Sequence, residues 1–224
     1  LLSQFGYDIE LVTYDSGRAL ISKGYLDKAE KLAVKNINFF SSILKRCDLI
    51  IGIEPSAILS IRDEYGKFNT ARVLAEYPKV NSRTQLLEEF LLTEVESGNL
   101  NLADYGFARN IHVLQHVHCH QRALSDVQTV NKLLNSIPTW MCEQIRTGCC
   151  GMAGGFGYEA EHYELSQAVA GMGLFPAIKE RPEHYVVASG MSCRHQIRDG
   201  VQRKARHPAE LLMKLMENGD QTMS

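Results

Sequence analysis

The sequence predicts an α/β fold built on mainly parallel sheets, and three observations predict it. Segments with the spacing of one helix face alternate with short apolar runs of strand length. Strands alternating with helices favour parallel pairing with helices on the sheet faces. The chain also resembles itself, so the same strand–helix unit is expected twice.

The elements follow in order. "YLDKAEKLAVKNINFFSSILKR" carries Leu26, Ala29, Ala33, Ile37, Phe40 and Leu44 at the spacing of one helix face. "LIIGI" (Leu49–Ile53) is a short buried strand ended by Glu54 and Pro55. "TQLLEEFLLTEVESG" reads as an amphipathic helix from Thr84, with Gly98 placed to end it. "IHVLQHV" (Ile111–Val117) is a strand. "RALSDVQTVNKLLN" reads as one helix with Ala123, Val127, Val130 and Leu134 inward. "HYVVAS" is a further strand, and "HPAELLMKLME" is a closing helix opened by Pro208, where a missing N–H does no harm.

The repeat is read from two pairs of segments. "DLIIGIEPSAILSIRDEY" aligns with "HYVVASGMSCRHQIRDG", which sets Ser56 and Ala57 on Ser192 and Cys193, and Ile61–Asp63 on Ile197–Asp199. Upstream, "DSGRALISKG" stands nearly as far before the first copy as "CCGMAGGFGY" stands before the second. Two pseudo-repeated halves are therefore expected, 1–108 and 109–224, each a mainly parallel sheet flanked by helices. Asp15, Ser16 and Ala57 take the places of the second half's Cys149, Cys150 and Cys193. Residues 110–137 have no counterpart, so the first half is expected to be truncated at its N-terminus; the abrupt "LLSQFGYDIELV" start fits a piece of something longer.

The composition is that of a globular protein: 224 residues, 45% hydrophobic, 22% charged, formal net charge -2. Nothing in that balance argues for nucleic acid or an anionic membrane. No apolar run approaches the roughly 18–20 residues of a membrane span, and no segment reads as a signal peptide. With six cysteines and no secretion signal, the cytoplasm is the expected compartment, where clustered cysteines are metal-binding or redox-active rather than cross-linked.

Four of those cysteines read either as ligands of one centre or as small buried hydrophobes beside loops that merely turn the chain, and spacing alone leaves both readings open. Cys119 follows one predicted strand, Cys149 and Cys150 lie in the glycine loop after the next, and Cys193 follows the strand after that. In an open parallel sheet the loops at the carboxyl ends of the strands converge on one crevice. Four thiolates there suffice for tetrahedral zinc or for an iron–sulfur cluster. Gly17, Gly151, Gly154 and Gly155 are expected to form the loops, allowing positive φ and close approach of backbone N–H groups. His116, His118 and His120 crowd around Cys119 as secondary candidate ligands. Cys47 and Cys142 stand alone and read as small buried hydrophobes, and His195 and His207 read as structural.

The series "HCHQRA … CCGMAGGFG … GMSC … RHPAELL" resembles the cysteine-rich CCG domain of heterodisulfide reductase subunits, of an anaerobic glycerol-3-phosphate dehydrogenase subunit, and of the C-terminus of large FAD-linked oxidases. "SGRALISKG" and "GIEPSAILSIRDEY" narrow the resemblance to fused FAD- and Fe–S-binding dehydrogenases similar to bacterial D-lactate and D-2-hydroxyglutarate dehydrogenases. The resemblance implies an iron–sulfur cluster or a mononuclear Fe or Zn site on Cys119, Cys149, Cys150 and Cys193. It implies FAD, a ferredoxin-like segment and a 2-hydroxy acid substrate (D-lactate, D-2-hydroxyglutarate or glycolate type) in the rest of a parent chain, with membrane association only through the electron acceptor. The domain would pass electrons from the flavin or close its active site, and alone would not turn over substrate.

The sequence departs from the family's pattern where Gly190 replaces the first cysteine of a CxxC pair. This argues against the five-cysteine noncubane centre of heterodisulfide reductases. The first half has lost its cysteines and reads as a scaffold, with Arg18 as a cation for an anionic substrate or partner. Two other readings stay open: a structural or interaction module with zinc or no metal, and a thiol–disulfide couple of Cys149 and Cys150, which needs a strained ring.

Overall fold

A computed structural model describes residues 1–216, with side chains throughout except at 71–74. The chain is α/β with two parallel sheets flanked by helices, as expected. It divides into two compact units, Glu10–Leu87 and a larger one made of Leu1–Ile9 and Glu88–Ser224.

The smaller unit runs α1 (Arg18–Ser22), α2 (Leu26–Ile43), β1 (Ile50–Gly52), α3 (Pro55–Arg62), α4 (Ala71–Ser82) and β2 (Thr84–Leu86). Strands β1 and β2 pair in parallel, Ile50 opposite Thr84. The inward face of α2 is the expected one at Ala29, Ala33, Ile37 and Phe40, all buried, whereas Leu26, in the first turn where the helix has only begun, is exposed. Ile58, Leu59 and Ile61 of α3, together with Tyr65, are buried in the same unit. Thr84–Leu86 corrects the expected single helix from Thr84. These residues are extended because their main chain pairs with β1, and the helix starts only at Leu87. Leu86, Leu87, Phe90 and Leu91 are all buried, so an apolar run too short to separate strand from helix period served both elements.

The larger unit contains α5 (Leu87–Glu96, apart from its first residue), β3 (Ile111–His116), α6 (Cys119–Leu124), α7 (Thr129–Asn135), β4 (Trp140–Gln144), α8 (Tyr163–Gly171), α9 (Leu174–Lys179), β5 (Tyr185–Ala188), α10 (Met191–Val201), β6 (Ala205–Arg206) and α11 (Pro208–Leu215). Gly98 follows α5 at φ 75°, the stop that the sequence places there. The sheet is wholly parallel in the order β4-β3-β5-β6. The expected helix over "RALSDVQTVNKLLN" is broken in two. Ser125 is extended, and the Asp126 carboxylate accepts from the Gln128 N–H at 2.9 Å, a local bond that competes with the helical ladder. Val130 and Leu134 point inward as expected, but Ala123 is exposed and Val127 only partly covered. The expected last helix stops at Leu215, and Glu217 lies outside the described residues.

One local order occurs twice along the chain, its first copy ending in α5 of the larger unit. β1, α3, β2 and α5 in the first stretch, and β5, α10, β6 and α11 in the second, each run strand–helix–strand–helix with parallel strands. Among the described residues, no helix is long and apolar enough to cross a membrane.

Candidate metal centre

Strand β3 is central: the chain leaves it to form β4 on one side and returns to lay β5 on the other. That reversal opens a crevice at the carboxyl ends of the strands. His116 is the last residue of β3, opposite Ala188 at the end of β5. Cys193 lies in the first turn of α10, which follows β5, and Cys149 and Cys150 lie in the loop after β4.

Three of these side chains meet in the interior. One ring nitrogen of His116 and the sulfurs of Cys150 and Cys193 all lie within 4.8 Å of one another. The three residues are 2%, 4% and 1% exposed. Leu114, Ile145, Met152, Ala188 and Ile197 wall the two buried cysteines. Cys149 is exposed, and its thiol hydrogen-bonds to that of Cys150, which in turn pairs with Cys193. The Cys149–Cys150 hydrogen bond and burial hold the Cys149 thiol well above the ordinary range. For Cys150 the bond to Cys149 pulls down, but the bond to Cys193 and burial outweigh it and push the thiol up to about 12. Burial, then the Arg122 charge, lowers His116 to about 4, so its imidazole is neutral at ordinary pH.

The loop that bends the cysteines inward is built from the expected glycines, in part. Gly151 and Gly154 have φ of 89° and 70°, with Ala153 at 41°. Gly155 has φ −86°, a conformation open to any residue, so the third left-handed position belongs to Ala153 instead. Gly151 is also a close approach: a Cβ there would lie 2.2 Å from the Ser166 carbonyl oxygen. Gln196, one turn beyond Cys193, donates to that oxygen and to Ser166 Oγ at 2.9 Å each, fastening α10 to α8 beneath the loop. The Gly151 N–H donates to Cys149 Sγ at 3.3 Å, and the N–H groups of Ala153 and Met152 act on Cys149 and Cys150 in the same sense. Such a nest of amides stabilises thiolate. Neither Ser166 nor Gln196 stands out in the sequence; Gln196, at helical spacing from Cys193, has the one signal that points here.

The remaining candidates fall outside this group. Cys119 is exposed at the start of α6, its sulfur 3.7 Å from His120 Nδ1, and His118 completes a second trio with them. His118 already has a structural role. It caps α6, its Nδ1 accepting from the His120 N–H at 3.1 Å, so the ring proton sits on Nε2. Its ring also fills the space beside Gly190, where a Cβ would lie 2.2 Å from His118 Cδ2. A cysteine at 190 therefore requires that ring to move. His207 caps α11 in the same way, and His195 pairs with the Tyr158 hydroxyl at 2.8 Å. Cys142 is buried and pushed up to about 12, first by burial; Cys47 is partly covered. The trio of Glu159, Glu161 and His162 is partly to fully exposed, with His162 stacked on Phe156. In the smaller unit, Arg18 spends its charge on Glu64 at 2.7 Å rather than offering a free cation, and Gly17 has the expected left-handed φ of 71°.

The donor set suits a metal. Three sulfurs and a neutral imidazole are the Cys₃His set of zinc sites, and soft thiolates also take iron. The buried His116 Nδ1 has no hydrogen-bond partner among the described residues, a cost of about 1–3 kcal/mol for an unsatisfied buried polar atom.

No protein-family model matches the chain, and no solved structure matches it. It is 29% identical over 226 residues to D-2-hydroxyglutarate dehydrogenase of Pantoea ananatis, covering 96% of this chain and 20% of that protein. To the enzyme of the same name from Escherichia coli K12 it is 26% identical over 231 residues, again 20% of that protein. To one subunit of the anaerobic glycerol-3-phosphate dehydrogenase of the same strain it is 26% identical over 216 residues, covering 95% of this chain and 52% of that subunit. The chain thus spans about a fifth to a half of the length of these relatives. Its resemblance to them holds over essentially the whole sequence.

Proposed function

We infer that this chain is the metal-binding, C-terminal domain of a larger FAD-linked dehydrogenase acting on a 2-hydroxy acid of the D-lactate, D-2-hydroxyglutarate or glycolate type. The observation that carries the reading is the buried convergence of Cys150, Cys193 and His116, with Cys149 hydrogen-bonded to Cys150, in a chain similar to dehydrogenases over 96% of its length. The partners are the FAD-binding and ferredoxin-like domains of the parent, and the flavin there takes the hydride from the substrate.

The ligands are Cys149, Cys150, Cys193 and His116, with Cys119 on the exposed rim as the residue whose membership the test decides. Bound iron would supply one-electron transfer at this edge of the sheet, as an iron–sulfur cluster or a single ion. The chain's own residues prepare the place. Amide N–H groups face the sulfurs of Cys149 and Cys150, the apolar wall keeps water from Cys150 and Cys193, and burial keeps His116 neutral and ready to donate. A second reading, zinc as a structural cross-link, is favoured by one observation: three of the four donors are almost wholly buried, as in closed structural sites.

The test is metal and sulfide content with a visible spectrum after strictly anaerobic purification. Iron with sulfide supports the electron carrier, and zinc supports the cross-link. Cys150→Ser, Cys193→Ser and His116→Ala should each lower the metal content, whereas Cys47→Ser should not. Equal content in all four variants would remove the ligand assignment. Cys119→Ser should leave the content unchanged if the buried set is complete, and a loss there would restore the four-cysteine set.

A further inference from the structure

At the opposite end of β5 from Cys193, the sheet's amino edge holds a cleft of about 250 Å³, lined by residues 182–186 together with Arg203, Lys204 and Arg206. Its charges do not balance. The Arg203 guanidinium donates to the main-chain oxygens of His184, at 2.6 Å, and Arg181, at 3.5 Å. Carbonyl oxygens hold the group in place without cancelling its charge. Exposed Lys204 and half-buried Arg206 have no ion pair among the described residues. The lining has one carboxylate, Glu183, whose oxygen lies 2.6 Å from His184 Nδ1.

Three cations against one carboxylate repel one another, and the cheapest counter-charge is an anion between them. Arginine forks suit carboxylate and phosphate oxygens in particular. The volume is below the roughly 300–1,000 Å³ usual for drug-sized ligands, so it admits a small anion and not a dinucleotide. We propose that this cleft binds a small anion presenting a carboxylate or phosphate group, at a site separate from the cysteine centre. The proposal does not depend on which metal, if any, the cysteines hold.

The test is calorimetric titration of the whole chain with sodium phosphate and, separately, sodium glutarate, each against sodium chloride of equal ionic strength. Saturable binding of at least one is expected, and which one binds identifies the source of the anionic group. The double variant Lys204→Gln, Arg206→Gln should bind roughly tenfold more weakly, the effect of losing charge-assisted hydrogen bonds, with unchanged metal content and circular dichroism. Glu183→Gln should bind more tightly, and this variant decides the matter if the double variant fails to fold. Heats no greater than those of chloride, a double variant that binds as the parent does, or a Glu183→Gln protein that binds no better would each overturn the proposal.

Discussion

The loops at 15–18 and 149–152 each precede two helices, a strand and a further helix, yet they are held by opposite means. In the smaller unit "DSGR" is closed by its own hydrogen bonds. Asn36 Nδ2 donates to the Asp15 carbonyl at 2.7 Å and to the Tyr65 hydroxyl at 2.8 Å, and that hydroxyl donates to the Ser16 carbonyl at 2.8 Å. The Asp15 carboxylate accepts from the Gly17 N–H, and Arg18 is paired with Glu64. In the larger unit Cys149 and Cys150 of "CCGM" join Cys193 in a chain of three linked sulfurs, beside the buried His116, whose Nδ1 has no partner among the described residues. The same position in a strand–helix unit thus ends either in hydrogen bonds to other parts of the protein or in sulfurs and an imidazole that could hold a metal.

The sharpest way to break this comparison is to make the same substitution in both loops. Gly151→Ala should cost about 3 kcal/mol or more, because it meets a backbone carbonyl that cannot retreat and also has a left-handed φ. It should lose bound metal as well, and wild-type metal content with an unshifted urea midpoint would show that the loop yields. Asn36→Leu should come next, at about 2–3 kcal/mol, since it strands the Asp15 carbonyl and half-strands Tyr65. Its metal content should stay that of the parent; a loss would mean that the two loops are not independent. Gly17→Ala, at the position matching Gly151, should cost only about 1 kcal/mol. Its Cβ would meet nothing nearer than Leu32 Cδ2 at 3.4 Å, so only the left-handed φ of 71° opposes it. An effect as large as that of Gly151→Ala would erase the distinction. The smallest change belongs to Arg18→Gln, below about 1 kcal/mol for a partly solvated ion pair; a greater drop in denaturation midpoint would give Arg18 a role its geometry does not explain.

Much of this arrangement is legible in the sequence because it rests on local signals. The α2 face, the stop at Gly98, the opening of α11 at Pro208 and the left-handed glycines at 17, 151 and 154 are short-range consequences of side-chain spacing and backbone freedom. The misreadings share one cause. Thr84–Leu86 looks helical because its leucine belongs to a periodic run, and only pairing with β1 makes it a strand. "RALSDVQTVNKLLN" looks continuous because its apolar residues keep a helical period across the Asp126 turn.

What the sequence by itself determined is the alternation of strands and helices, the recurrence of one strand–helix unit, and the placing of cysteines in loops after successive strands. Which donors meet was decided only by the tertiary structure. His116 ends β3 with its ring inside, because its strand neighbour is β5 and the apolar wall closes over both. Cys119, three residues on, faces solvent because the His118 cap has already turned the chain into α6. The physical reason is that spacing along a chain sets which loop a residue occupies, whereas side-chain direction at a strand's end depends on the partner strand and the next helix packed around it.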